Sequence, residues 1–182
     1  MHVLIVFATV EGQTSKISRF AEDEIRKDGH EVTLVNVDDP GEISFEDMDA
    51  VILAAPVHER RHPRTFEAFL VGQRDELVRR RTLLLSVSLS AAFPEGLEDA
   101  HDYLNEMKMR TGLNPDSEIL VAGAVRTCKY DFFASQIVKH VVLRGKHYDP
   151  KAEEPEFTDW ETLSIEISQF LREAKGEAPR SI

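Results

Sequence analysis

The chain begins with an apolar segment that leads into a short polar loop and then into an amphipathic segment. Residues 3–7, Val-Leu-Ile-Val-Phe, form an unbroken apolar run, which is typical of a β-strand buried on both faces. After the polar residues 9–15, apolar residues recur at helical spacing, at Ile17, Phe20, Ala21 and Ile25. This order predicts a loop at a helix N-terminus, where backbone N–H groups and the helix dipole favour an anion.

The polar residues of this first loop suit a terminal phosphate. The hydroxyls of Thr9, Thr14 and Ser15 are placed to donate hydrogen bonds near the positive end of the helix, so no lysine is needed. Neither the P-loop motif nor the GxGxxG motif is present, which argues against ATP and NAD. A phosphate on a smaller cofactor fits better, and a helix cap without any ligand is the alternative.

Strand-like and helix-like segments alternate along the rest of the chain. Four more short segments rich in Val, Ile, Leu and Ala are predicted as strands, at residues 31–37, 49–55, 82–88 and 118–123. Helical patterns lie between most of them: one helix contains Phe66, Phe69, Leu70 and Leu77, and another contains Leu97, Ala100, Leu104 and Met107. The sequence Thr-Asp-Trp-Glu at residues 158–161 is a capping-box pattern, which predicts the start of the last helix.

The alternation predicts an α/β fold, with a doubly wound five-stranded parallel sheet of order 2-1-3-4-5. At 182 residues and without a Pro/Gly/Ser-rich linker, the chain is expected to form one domain, residues 1–182. The connection before the last helix, about residues 125–157, is long enough to be an insertion with a role of its own. Its apolar stripe, which includes Phe132, Ile137 and Val141, either packs on the domain or contacts a membrane surface.

Composition narrows the classes of function. A net charge of -11 argues against nucleic acid as a partner, and the spacing of His, Cys, Asp and Glu shows no metal-binding motif. Cys128 is the single cysteine, so an intrachain disulfide is excluded, and no window is apolar enough to span a bilayer. The protein is therefore expected to be cytoplasmic, with peripheral membrane contact through the insertion as the alternative to a freely soluble form. The sequence does not indicate an oligomeric state.

In the predicted sheet order, the ligand crevice lies at the carboxyl ends of strands 1 and 3, where the winding direction reverses. Three loops meet there, at residues 9–15, 56–63 and 88–96. The first can hold a phosphate, and the other two can flank a flat ring, which together predicts an FMN site. The predicted cofactor-binding residues are Thr9, Val10, Glu11, Gly12, Gln13, Thr14, Pro56, Val57, His58, Ser88, Leu89, Ser90 and Ala91.

Short segments along nearly the whole chain carry a resemblance to a known family. They are Phe7-Ala-Thr9, Gly12-Gln-Thr14, Asn36-Val37, Ser86-Val-Ser-Leu89, Gly123-Ala-Val-Arg126 and Thr158-Asp-Trp-Glu161. In this order and spacing they resemble flavodoxin-domain proteins, and among these the flavodoxin-type, menaquinone-dependent protoporphyrinogen oxidases of bacteria. The resemblance implies a flavodoxin-like fold, FMN, oxidation of a porphyrinogen in heme biosynthesis and a quinone as electron acceptor.

The resemblance leaves the catalytic side chains unassigned. Arg126 and Tyr130, at the start of the insertion, are the residues we would test for substrate contact, Arg126 because a guanidinium fork suits a propionate. The second loop reads His58-Glu-Arg-Arg-His62, whereas the resembled oxidases carry tyrosines and a glycine in this loop. Each histidine either bonds the flavin or relays a proton, or is a solvated loop residue. The arginines at residues 79–81 are expected to be a solvated cation cluster at a helix end.

Two other classes of function remain open. One is an electron carrier with FMN, which the acidic charge favours although a carrier has no evident use for the insertion, or a quinone reductase on the same fold without porphyrin activity. A module that has lost FMN and acts through protein contacts is the third alternative. The intact hydroxyl-rich first loop argues against that third alternative.

Overall fold

The computed structural model describes residues 1–124 and 156–176, in which strands and helices alternate. The strands are β1 His2–Phe7, β2 Glu31–Asn36, β3 Ala50–Pro56, β4 Arg81–Ser88 and β5 Ser117–Ala122. The helices are α1 Gln13–Lys27, α2 Arg64–Gly72, α3 Arg74–Val78, α4 Leu97–Thr111 and α5 Trp160–Ala174, with single 3-10 turns at Ser90–Ala92 and Pro94–Gly96. Residues 125–155, which include nearly all of the predicted insertion, lie outside the described part of the chain.

The five strands form one parallel sheet in the order β2-β1-β3-β4-β5, which confirms the predicted fold class and topology. In register, Val3 of β1 lies between Val32 of β2 and Ala50 of β3. The winding direction reverses between β1 and β3, because the chain first moves outward to β2 and then crosses back to the other side. Loops that follow β1 and β3 therefore diverge and leave a crevice at the carboxyl edge of the sheet.

Both faces of the sheet are covered, as the continuous apolar strands require. On one face, α1 and α5 pack on alternate strand residues such as Ile5, Ile52 and Leu85. On the other face, α2, α3 and α4 pack on the residues between them, such as Val6 and Leu53. β1 is buried from Val3 to Phe7, as expected of an interior strand, and its position in the sheet sets the position of the loop that follows.

Two predictions about helices were wrong in detail. The segment with Phe66 and Leu77 forms two helices, because the chain leaves helical geometry at Gln73, directly after Gly72, a residue that weakens helix interiors. The last helix is capped by Asp159, whose carboxylate accepts the Thr162 N–H at 3.0 Å. Thr158, the expected cap, instead donates its hydroxyl to the Ala122 carbonyl at 2.7 Å and ties α5 to the end of β5.

In the arginine cluster at residues 79–81, Arg79 and Arg81 are exposed as predicted, whereas Arg80 is less solvated than expected. The Arg80 side chain is only 17% exposed and donates to the carbonyl oxygens of Met48 at 3.0 Å and Phe45 at 2.8 Å. It therefore fastens the connection before β3 to the end of α3, at the edge of the sheet opposite the crevice.

In residues 1–124 and 156–176, no helix has the length and apolarity needed to cross a membrane.

Candidate functional site

A cleft opens at the carboxyl ends of β1, β3 and β4, where the crevice was predicted. Its walls come from the loops after these strands and after β5. The lining residues are Val10, Glu11, Gln13, Thr14, Pro56, Val57, His58, Val87, Ser88, Leu89, Gly123 and Ala124. Six of these twelve residues are aliphatic, and the charged or titratable side chains among the lining residues are Glu11 and His58. Such a cleft suits a flat apolar ring with one polar end.

The first loop leaves the N-terminus of α1 open to a ligand. Gly12 occupies the N-cap position at φ 94°, a conformation that favours glycine, and no side-chain hydrogen bond caps the helix. The Thr9 hydroxyl accepts the Gly12 N–H at 3.0 Å, which closes the loop and leaves the hydroxyl proton free to donate elsewhere. Thr14, in the first turn, lines the cleft although it is 1% exposed overall. First-turn N–H groups and the Thr14 hydroxyl can therefore serve as donors for an anion.

The lysine nearest to this loop is engaged elsewhere. Lys16 forms an ion pair with Glu156 at 2.5 Å and lies 5.1 Å from the centre of the Trp160 ring. Its charge is directed toward the start of α5, and it does not line the cleft. An anion in the cleft would therefore be bound by hydroxyls and the helix dipole, as the sequence predicted.

The second loop forms a tight turn that presents His58. Val57 donates its N–H to the Val87 carbonyl at 2.7 Å, which fixes the start of the loop on β4. His58 and Arg61 then exchange two backbone hydrogen bonds, of 2.9 and 3.1 Å, around a two-residue turn. The His58 side chain is 38% exposed, and its Nε2 lies 3.9 Å from a Glu11 carboxylate oxygen across the cleft. Hence His58 and Glu11 face each other from two of the predicted loops.

The third loop turns away from the cleft soon after β4. Ser88 and Leu89 line the cleft, whereas Ser90 and Ala91 do not. The Ser88 hydroxyl accepts the Ala91 N–H at 3.1 Å and starts the 3-10 turn. Gly96 is required where this loop returns, because a Cβ there would collide with the Ser90 carbonyl oxygen. The loop is thus folded on itself, and Ala91 borders a different groove, between β5 and α5.

Sequence reasoning missed the contribution of β5. Gly123 and Ala124 line the cleft, and Gly123 donates its N–H to the Ser88 carbonyl at 3.0 Å. The signal was available, since all strands of a parallel sheet end at the same edge and a fifth strand ending near Gly123 was predicted. Val87, next to the last residue of β4, also lines the cleft and was not predicted.

His62 does not lie in the cleft, and neither interpretation of it from the sequence was correct. It is 1% exposed, and its Nε2 lies 3.0 Å from the Ser86 hydroxyl beneath the second loop. Burial lowers the pKa of His62 to about 4, so the imidazole is neutral at physiological pH. Its role is therefore to connect the loop to β4.

Nine of the predicted cofactor-binding residues line one cleft. Thr9 and Gly12 belong to its first loop without lining it, Ser90 and Ala91 lie outside it, and Arg126 and Tyr130 are outside the described residues. The uncapped helix, the hydroxyls and the aliphatic walls fit a flavin carrying a terminal phosphate. Among the described lining residues, none is Phe, Tyr or Trp, so a flavin ring would be held without aromatic stacking.

A doubly wound sheet of order β2-β1-β3-β4-β5 with a cleft at its switch point defines the flavodoxin-like class of α/β protein. The chain belongs to the flavodoxin domain family, whose model matches residues 4–151. Over 174 residues it is 26% identical to the protoporphyrinogen IX dehydrogenase (quinone) of Escherichia coli K12, covering 95% of this chain and 94% of that protein.

Solved structures show the same fold. Oxidised flavodoxin 1 from Bacillus cereus superposes with a TM-score of 0.57 at 19% identity and covers 94% of this chain and 98% of its own. The rubredoxin oxygen:oxidoreductase of Desulfovibrio gigas gives a TM-score of 0.57 at 15% identity, covering 96% of this chain and 36% of its own. Family and fold together imply a flavin cofactor.

Proposed function

We propose that this chain is an FMN-dependent oxidoreductase that oxidises a porphyrinogen, of the protoporphyrinogen IX type, with a quinone as electron acceptor. The similarity to the Escherichia coli dehydrogenase carries the choice of substrate, because it extends over 95% of this chain and is not confined to the cofactor loops. FMN, when bound, would supply the two-electron transfer between substrate and quinone.

Different residues of the cleft would bind the phosphate and the ring of the cofactor. Thr14, the Thr9 hydroxyl and the first-turn N–H groups of α1 would bind the phosphate, for which the helix lacks a side-chain cap. Val57, Leu89 and Ala124 would pack on the ring, and backbone groups of the second and third loops would hydrogen-bond its polar edge. Arg126 and Tyr130 are proposed for substrate contact because they follow directly after the cleft rim at Ala124.

An electron carrier is the second candidate, and one surface favours it. Four acidic residues are exposed at the end of the third loop and on the first turns of α4: Glu95, Glu98, Asp99 and Asp102. A carrier could dock a basic partner there. The insertion, about residues 125–157, is the feature that this alternative leaves unused. A quinone reductase without porphyrin activity is the third outcome of the same test.

The test is to load the purified protein with FMN, record its visible spectrum and add protoporphyrinogen IX anaerobically, with and without menadione. We expect a bound-flavin spectrum. Because complete oxidation of the porphyrinogen removes six electrons and FMN accepts two, protoporphyrin should exceed about one third of an equivalent per FMN only when the quinone is present. Bound flavin without porphyrinogen oxidation, even with menadione and lipid added, would assign the chain to the carrier or quinone-reductase alternative. A protein that takes up no FMN contradicts the whole proposal.

His58 should make the flavin potential depend on pH. A protonated imidazole beside the ring would favour the negative charge gained on reduction, whereas an alanine would not. The potential should therefore rise more steeply with falling pH in the parent than in His58→Ala, with Glu11 at 3.9 Å partly offsetting the added charge. Spectroelectrochemical titration measures this. His101→Ala, which changes an exposed histidine on α4, is the control. Identical curves of potential against pH for the parent and His58→Ala would mean that His58 does not lie beside the ring.

A further inference from the structure

The turn that presents His58 has a conformation that its sequence does not favour. Its two central residues, Glu59 and Arg60, have φ values of 50° and 65°. Two consecutive positive φ angles are typical of a type I′ turn, for which Asn-Gly is the preferred sequence. Residues with a Cβ, other than Asn and Asp, occupy this region at a cost in free energy. Contacts outside the turn must therefore hold it.

Those contacts begin immediately after the turn. The Arg61 guanidinium donates to both carboxylate oxygens of Glu67, at 2.5 and 3.3 Å. Arg110, near the end of α4, donates to Glu67 at 2.8 and 3.1 Å. Glu67 lies on α2 with its side chain 8% exposed, so a single carboxylate joins the turn, α2 and α4.

The two arginines keep the Glu67 carboxylate charged, which strengthens its hydrogen bonds to them. Burial alone would raise the pKa of Glu67, but hydrogen bonds from Arg61 and Arg110 outweigh it and lower the pKa below its ordinary value. The carboxylate is therefore ionised at physiological pH, when its hydrogen bonds are charge-assisted. The Arg60 guanidinium lies 5.5 Å from the centre of the Tyr103 ring, a second contact of the turn with α4.

We propose that Glu67 is a positioning residue for the cofactor: by joining Arg61 to Arg110, it holds the strained turn at residues 58–61 in the conformation that presents His58 to the ring. This inference rests on the proposed function, because it assumes that the ring lies beside His58. It extends that function to a residue that does not line the cleft and that neither cofactor nor substrate would touch.

The first test replaces Glu67 with Gln, which keeps the size of the side chain and removes its charge. The dissociation constants of FMN and riboflavin, measured by quenching of flavin fluorescence, should both rise by a similar factor of about five or more, because both ligands carry the ring. Thr14→Val should weaken FMN and leave riboflavin unchanged, since riboflavin has no phosphate. Glu118→Gln is the matched control. It breaks the 2.5 Å ion pair between Glu118 on β5 and Lys108 on α4, the helix that also carries Arg110, but it does so away from the turn. Both dissociation constants should stay unchanged.

The second test relieves the strain in the turn. Adding Glu59→Gly to Glu67→Gln should restore most of the lost ring affinity, because glycine occupies φ 50° without the cost that Glu59 carries. If Glu67 served only to pack α2 against α4, a change in an exposed turn residue would not restore flavin binding. Thermal unfolding of each variant, recorded without flavin, confirms that binding is measured on folded protein.

The outcomes separate the two proposals. If the parent binds both flavins and Glu67→Gln binds them equally well, or if Glu59→Gly restores nothing, the positioning role is overturned while FMN binding stands. If the parent binds neither flavin, the proposed function is overturned and the positioning role falls with it.

Discussion

Thr14→Glu should abolish useful FMN binding. Thr14 is 1% exposed, lies in the first turn of α1 and lines the cleft, so a carboxylate there would face the cofactor phosphate at close range. Two unit charges about 4 Å apart repel by about 4 kcal/mol at an effective dielectric constant of 20. Even half of that energy weakens binding by more than about tenfold, and we expect a loss of about hundredfold or greater. Fluorescence quenching of FMN measures it.

Riboflavin provides the control for this variant. Because riboflavin lacks the phosphate, Thr14→Glu should leave its affinity within about twofold of the parent value. Equal losses for the two ligands would mean that the substitution disturbs the fold of the first loop. Unchanged FMN affinity would place the phosphate elsewhere in the cleft.

The strands and their order could be predicted because each strand is a separate apolar run. β1 and β3 are buried on both faces, and this pattern is readable without tertiary information. The errors occurred where a tertiary contact competes with a local preference. Thr158 and Asp159 are both good helix caps, and the choice between them depends on the Ala122 carbonyl, which accepts the Thr158 hydroxyl. The Ala122 carbonyl is 36 residues away in the sequence, so the local pattern around residue 158 does not indicate this contact.

The position of the cleft and the three loops that meet there could be predicted from the sequence. The hydroxyls and Gly12 indicated the first loop directly, because their chemistry is local. The second loop was different, since the burial of His62 depends on Ser86, which lies 24 residues away. The Glu67 junction could not be predicted either, because Glu67 and Arg110 are 43 residues apart and meet only when α2 packs beside α4. Side chains that connect elements are set by packing and not by local pattern.

Replacing residues 126–154 with a short Gly/Ser linker should separate an enzyme from a carrier. The two ends of this segment are joined in the structure by an antiparallel bridge between Ala124 and Glu156, and Phe157 donates its N–H to the Gly123 carbonyl at 3.0 Å. A short linker can therefore close the chain. The phosphate loop is supported by β1 and α1, so FMN should bind with nearly parental affinity.

Porphyrinogen turnover, in contrast, should fall by about hundredfold or more, because the segment leaves from the cleft rim at Ala124 and would carry substrate contacts such as Arg126 and Tyr130. The measurement compares protoporphyrinogen oxidation by menadione with ferricyanide reduction by the chemically reduced protein. Loss of the first rate with retention of the second supports an enzyme whose substrate pocket includes the segment. A carrier would keep the ferricyanide rate and show no porphyrinogen oxidation even in the parent. Equal porphyrinogen turnover in parent and replacement would confine the substrate site to the described cleft.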